Sequence, residues 1–291
     1  MIGKLLKGKI KNKGVHGKNI IAKLNKYSKL SAKQKKLMPL IVKKYNEWSK
    51  ANNALVGYRK TDIEKRVSSV SKYKKFVEQV DFKAQSKFHS SVLEEFVYYL
   101  FKDLIKDMNE KIRKNETYHE IKIGGTKAYC NIYFCPKNIK DFLINPSIKS
   151  NVKDQDFTIY REVLLEADGK KETRVNINVP VVSIEAKTYI DKTMLEGSIA
   201  TAEKIKNGNP YCLFIVIAET YDVSLEVDPA YSRIDKIYIL RKQKSPGKKD
   251  SKKLNPINSK VTVNVFNKVK NHLEKNWSNV KQKLEKDGEI I

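Results

Sequence analysis

Cysteine is scarce in this sequence, and the way it is spent excludes two chemistries. Cys130, Cys135 and Cys212 are odd in number and show neither a Cys-x-x-Cys spacing nor a neighbouring histidine pair. A disulfide framework and a zinc site are both ruled out, and buried thiols in a reducing compartment are the reading that remains. Histidine is equally thin: His16, His89, His119 and His272 are scattered, with no nucleophile at a useful spacing, so they receive no catalytic role. No apolar run approaches the roughly 18–20 residues of a membrane span. The lysines from Lys4 to Lys13 are not followed by the apolar core of a secretory signal. The expectation is a soluble, cytoplasmic protein without membrane contact. There is no internal repeat.

Acidic residues and arginine are also under-used. Lys and Arg total 59 against 33 Asp and Glu, a net charge of +26, and only seven of the basic residues are Arg. Such a balance points to a polyanionic partner, because basic side chains gain affinity by displacing counterions from phosphates. A chain this rich in Lys, Asn and Ile also reflects a compositional bias, so part of the charge is plain surface. The first 50 residues hold fifteen Lys and a single acid, Glu47. For residues 1–17, with Gly3, Gly8, Gly14 and Gly17, an arm lying on nucleic acid and a solvated terminus fit equally well.

At 291 residues the chain is long enough to bury a full core. Ser31 with Gln34 and Thr61 with Glu64 form two capping-box signals, each followed by apolar residues at helical spacing. A third helix runs from Ser90 or Ser91 to about Lys114 on a stripe of Leu93, Phe96, Val97, Leu100 and Leu104. The period then shortens to two. Tyr118–Ile123 and Lys127–Phe134 read as strands around a Gly124-Gly125 hairpin turn. A further strand begins at Asp154 and turns back at Ala167-Asp168-Gly169. Thr173–Val179 is interrupted by Pro180 before a central strand. A helix over Lys192–Lys206 and a buried strand over Tyr211–Ala218 complete a crossover unit, which makes part of the sheet parallel. Ile234–Leu240 is another strand, 241–260 a basic loop, and about 261–286 a final helix. The division expected is a basic helical region over 1–84 and an α/β domain over 85–291.

The central strand delivers Glu185 and Lys187 to one face, two residues apart. Phosphodiester hydrolysis needs a cation against the charge growing on the phosphoryl oxygens and an activated water in line with the leaving oxygen. Asp156 and Glu185, on adjacent strands, suit Mg²⁺, with the Ala186 carbonyl as a further oxygen ligand and Lys187 to polarise the attacking water. Asp154 shares the face of Asp156. Asp156 is preferred because Phe157, Thr158 and Ile159 continue directly as strand, which sets it at the sheet's edge where the chain enters. On the third helix Glu94 borders the apolar stripe and Glu95 points away, so Glu94 is the acid expected to reach an interior site. Glu-x-Lys alone is common and is ordinarily a surface ion pair of little worth. Thr193, Glu196, Ser198, Thr201 and Glu203 on the following helix read as a solvated face.

Asp156, Glu185-Ala186-Lys187 and the order of elements around them resemble the PD-(D/E)XK nuclease superfamily. The longer string Glu185 to Gly197, with Gly208 to Cys212 and Arg233 to Arg241, is similar more narrowly to type II restriction endonucleases of the BbvCI and DdeI kind, over about residues 85–245. The resemblance implies a mixed β-sheet flanked by helices, with Asp156 and Glu185 as metal acids, Lys187 as the catalytic lysine and Glu94 or Glu95 as an accessory acid. It also implies Mg²⁺-dependent, sequence-specific cleavage of double-stranded DNA into staggered ends with 5′-phosphates. Gln155 stands where the motif has proline. Two strands to cut require two sites, hence a homodimer or a heterodimer with a related subunit. The rival readings are a structure-specific repair or recombination nuclease and a non-catalytic basic nucleic-acid-binding protein.

Overall fold

The computed structural model describes residues 2–80, 82, 87–113, 119–144, 146–167, 173–224, 227–245, 254–274 and 285. Tyr118, the Asp168-Gly169 turn, Lys248, Lys249, Lys252 and Lys253 of the basic loop, and all of the expected last helix beyond Glu274 except 285 lie outside them. Five helices come first: α1 (Ile2–Gly8), α2 (Val15–Asn25), α3 (Ala32–Ala54), α4 (Lys60–Val77) and α5 (Lys87–Ile112). Then follow β1 (Lys122–Phe134), α6 (Ile139–Ile144), β2 (Ile148–Ala167), β3 (Thr173–Ile190), α7 (Lys192–Gly208), β4 (Leu213–Tyr221), β5 (Lys236–Ile239) and α8 (Ser259–Glu274). The strands form one five-stranded sheet in the order β1-β2-β3-β4-β5. Pairing is antiparallel across β1, β2 and β3 and parallel across β3, β4 and β5, so the sheet is mixed, as expected.

Each sheet face has its own cover. Phe157, Ile159, Val182, Ile184, Ala186, Ile215 and Ile217 face α5, α8 and the N-terminal helices in one continuous core. Phe214, Val216, Ala218 and Ile190 face α7 with Leu195, Ala202 and Ile205. β4 is buried on both faces, which is why it reads as an uninterrupted apolar run. Phe101 of α5 lies against Phe157 of β2 and stacks on Phe266 of α8, at centroid distances of 5.7 and 5.6 Å. That contact holds α5 against the strand that carries Asp156. Among the described residues no helix is long and apolar enough to cross a membrane.

Three expectations need correction. Gly124 and Gly125 do not turn the chain. β1 runs through them, Gly124 at φ +132°, because the register slips between Gly124 and Thr126 and a glycine there absorbs the irregularity. Pro180 does not break its strand either. It sits at the register shift in β3 opposite Tyr160, a bulge where the missing amide N–H costs little. At the start of α4 the capping acid is Asp62, whose carboxylate accepts the Arg59 amide at 3.0 Å, so Glu64 is not the partner. The Ser31–Gln34 box forms as expected, with hydrogen bonds of 3.0 and 3.2 Å.

Residues 2–17 fold onto the body. Leu6, Ile10 and His16 are buried, and the amides of His16 and Gly17 donate to Glu95 Oε2 at 2.8 and 3.4 Å. A Cβ on Gly14 would stand 2.4 Å from the Glu95 carboxyl carbon, so this glycine serves close approach rather than flexibility. His16 bridges Ser91 and Tyr73 at 2.9 and 2.8 Å. Burial keeps its ring neutral, with the pKa pushed down to about 3.

Candidate active site

The site lies where the sheet forks. Val182, Ser183 and Ile184 of β3 have strand partners on both sides, β2 on one and β4 on the other. Beyond Phe157 and Ile184 the β2 pairing stops, while β3 stays with β4 to Ile190 and β2 stays with β1. Two groups close the throat of this fork. Ser183 Oγ donates to Gln155 Oε1 at 2.5 Å, both residues buried, and the Ala186 amide donates to Asp156 Oδ2 at 2.9 Å. A carboxylate therefore takes the place of a ladder carbonyl, and its charge ends at the point of divergence.

Asp156 is not at an edge where the chain enters, as the sequence suggested. It stands inside β2, itself an interior strand, at the slip in pairing where β1 moves from Thr126 to Gly124 while β2 moves from Gln155 to Thr158. The extra residue on β2 breaks the alternation of faces, so two neighbours cannot simply be assigned by counting in twos. Asp154, beyond the bulge, is exposed, and among the described residues nothing joins it to Glu185 or Lys187.

Lys187 Nζ lies 3.4 Å from Glu185 Oε2 and 4.0 Å from Asp156 Oδ2, so one ammonium touches both acids. Glu185 is 8% exposed; its Oε2 also accepts Ser198 Oγ of α7 at 2.6 Å. Burial pushes the Asp156 carboxyl up, and Glu185 adds to this, while Lys187, the Ala186 amide and Lys87 pull it back. Glu94 belongs to the same electrostatic cluster from α5. Its pKa is raised to about 7, first by burial and then by the charge of Asp156, with Ser90, Lys87 and Lys187 opposing.

Glu95 is turned elsewhere, although it is far from a solvated residue. It is 1% exposed and accepts the hydroxyls of Tyr45 and Tyr99 at 3.0 and 2.8 Å besides the α2 amides. The helical wheel failed for Glu95 because α5 is covered by α2 as well as by the sheet. Ser198 and Thr201 are buried too, against the expectation of a solvated face. Lys87, Ser90 and Glu94 repeat at helical spacing, a signal the apolar stripe masked. Ser183 carries no mark of its own in the sequence, and Gln155 and Ser198 stand out there without their partners, since a hydroxyl or amide reveals its partner only once the strands are placed.

Among the described residues no three His, Cys, Asp or Glu side chains converge as a closed metal cage. The arrangement fits a hard divalent cation nonetheless. Mg²⁺ is ordinarily held by one or two carboxylates and keeps the rest of its shell for water and phosphate oxygens. Asp156 Oδ1 and Glu185 Oε1 take no hydrogen bond among the described residues, and burial first, with the charge of a neighbouring acid after it, raises the pKa values of Asp156 and Glu94. An ammonium beside two such acids, in an open fork, can bind and polarise a phosphodiester.

Comparison with known proteins gives the fold and the family. Three chains of solved structures match. One of them, described as "native BbvCI A2B2 tetramer at low resolution", has a TM-score of 0.63 and 20% sequence identity, and the match covers 89% of this chain and 94% of that one. It supports the restriction-endonuclease-like fold. Among curated proteins none matches the chain. The family model for Bpu10I restriction endonuclease matches residues 85–264, well over half of the sequence, and the fork with Asp156, Glu185 and Lys187 falls inside it: the chain belongs to the Bpu10I restriction endonuclease family and is a type II site-specific nuclease.

Proposed function

We propose that the protein hydrolyses double-stranded DNA at this fork in a Mg²⁺-dependent reaction that leaves staggered ends with 5′-phosphates. The observation that carries the reading is the single ammonium of Lys187 lying against both Asp156 and Glu185. Asp156, Glu185 and the Ala186 carbonyl are the groups that hold the cation. The Ala186 amide points at Asp156, and the N–H and C=O of one strand residue point to the same side, so that carbonyl faces the fork. Bound Mg²⁺ would neutralise charge on the phosphoryl oxygens. Lys187 orients and polarises the water whose oxygen attacks phosphorus while its proton passes to solvent; the bond to the 3′ oxygen breaks, that oxygen takes a proton from solvent, and the phosphate stays on the 5′ end. Glu94 is the accessory acid, held half-buried beside Asp156.

Residues 85–291 form the nuclease unit in this reading, and the basic helices of 1–84 lie along DNA phosphates, which position without specifying sequence. Cutting two strands calls for two such forks. The BbvCI structure is that of a tetramer of two unlike subunits, and a dimer with a second copy or with a related subunit is the assembly proposed here.

Digestion of long unmethylated DNA, with and without Mg²⁺, tests the reading. Wild type should yield discrete Mg²⁺-dependent fragments, and Glu185→Ala and Lys187→Ala should yield none. End sequencing then reports the stagger and the 5′-phosphate. A smear without discrete bands would point to a structure-specific nuclease, and cleavage that survives both substitutions would remove the fork from the mechanism.

A further inference from the structure

We propose that Ser198 is the positioning residue for Glu185: its hydroxyl occupies one carboxylate oxygen and leaves the other for the metal. The proposal rests on the reading of Glu185 as a metal-holding acid. Ser198 is 1% exposed and sits on the inner face of α7, the crossover helix that follows β3. Its hydroxyl reaches across to Glu185 Oε2 at 2.6 Å, the short range of a charge-assisted bond.

The choice of partner is informative. A buried hydroxyl on a helix ordinarily donates to the carbonyl one turn back. Thr201, one turn later on the same buried face, does so, donating to the Gly197 carbonyl at 2.8 Å. Ser198 instead spends its proton on the acid.

The lone pairs of Glu185 Oε2 are then engaged on two sides, by Ser198 and by Lys187 at 3.4 Å. Asp156 shows the same asymmetry, with Oδ2 taken by the Ala186 amide at 2.9 Å and by Lys187 at 4.0 Å. Both carboxylates are held through one oxygen, and Glu185 Oε1 and Asp156 Oδ1, without a hydrogen bond among the described residues, are the pair left for a cation.

The helix that supplies Ser198 is itself anchored at both ends. Asp191 caps it, accepting the Met194 amide at 2.8 Å. At the other end Gly208 presses on β1, where a Cβ would stand 1.9 Å from the Cys130 carbonyl. A glutamate on a strand has several torsions to freeze. A rigid donor from a fixed helix removes that freedom before the metal arrives.

The test is a Mn²⁺ titration followed by electron paramagnetic resonance on the DNA-free full-length protein, with cleavage measured against Mg²⁺ concentration in parallel. Ser198→Ala should weaken Mn²⁺ binding by about 10- to 100-fold, the usual effect of losing a partner of a metal ligand. The Mg²⁺ needed for half-maximal cleavage should rise by a similar factor, with most of the rate recovered at saturation. Ser198→Thr and Ser198→Val have nearly equal volumes, and only the first keeps the donor. Thr should hold Mn²⁺ near the wild-type affinity and Val should behave as Ala does, with both melting alike. Retained Mn²⁺ affinity in Ser198→Ala or Ser198→Val overturns the proposal. Glu185→Ala in the same titration separates the two levels: if it binds Mn²⁺ normally, the reading of Glu185 fails, whereas if it alone loses the metal, only the role of Ser198 falls.

Discussion

Two charge clusters sit side by side on the same sheet, one buried and one half-buried, and they are built to opposite ends. On β4, Glu219 accepts Lys74 of α4 and, through Arg241 Nε at 2.9 Å, the guanidinium that follows β5; Arg241 also reaches Glu78 and the Asn255 carbonyl. On β3, one strand away, Glu185 shares a single lysine with Asp156, and Glu94 stands near, where Lys87 and Lys187 only partly oppose burial and the charge of Asp156. At Glu219 the two cations overcome burial and the acid's pKa is lowered. At Glu94 and Asp156 burial and like charge win and the pKa values are raised. The first cluster clamps the N-terminal helices to the sheet. The second keeps one oxygen of Asp156 and one of Glu185 without a hydrogen bond among the described residues, the arrangement on which the proposed cation-dependent reaction rests.

The largest expected effect comes from breaking the clamp. Glu219→Ala leaves Lys74 and Arg241 buried and short of a partner, a loss of about 3–5 kcal/mol, to be read from urea unfolding of the full chain. Adding Lys74→Met should return part of it, because the second change removes an orphaned charge.

Asp156→Asn sets the contrast from the other side. Cleavage should fall by about 10²–10³-fold or more, as when one charge-stabilising group of an active site is lost. The metal-free variant should nevertheless melt no lower than wild type at pH 8, since a poorly neutralised, half-buried charge has been removed. A large drop in melting temperature there would mean that Asp156 serves the fold.

The smallest effect is a pair of pH slopes of opposite sign. The folded pKa of Glu94, about 7, lies above its ordinary value of 4.5. Its contribution to stability is therefore complete below about 4.5 and is lost as pH rises through about 7. The folded pKa of Glu219 is lowered, so its contribution is present above the ordinary carboxylate range and is lost as acid protonates it. Unfolding free energies of the metal-free protein from about pH 2 to 8 should lose the neutral-side slope in Glu94→Gln and the acid-side slope, below the ordinary carboxylate range, in Glu219→Gln. Equal slopes in both variants would erase the distinction between the clusters.

Much of the fold was legible in local pattern. Alternation and the buried run marked β3 and β4, a helical stretch between them made the crossover, and Ser31 announced α3. These are signals that one element carries within itself. The misreadings cluster where two elements meet. Gly124-Gly125 looks like a turn until β2 lies beside it, and Pro180 looks like a break until the β3 bulge is seen. Glu95 looks solvated until α2 brings its amides.

By itself the sequence determined the basic charge, the mixed α/β order and the residue types of the site: two acids and a lysine at strand spacing. Only the tertiary structure decided how those groups meet. The divergence of β2 from β3, the slip that carries Asp156, the amide of Ala186 and the hydroxyl of Ser198 depend on strands and helices far apart in the chain. The physical reason is that a carboxylate's role depends on what neutralises it, and for Glu185, Glu95 and Glu219 those partners include groups on other elements.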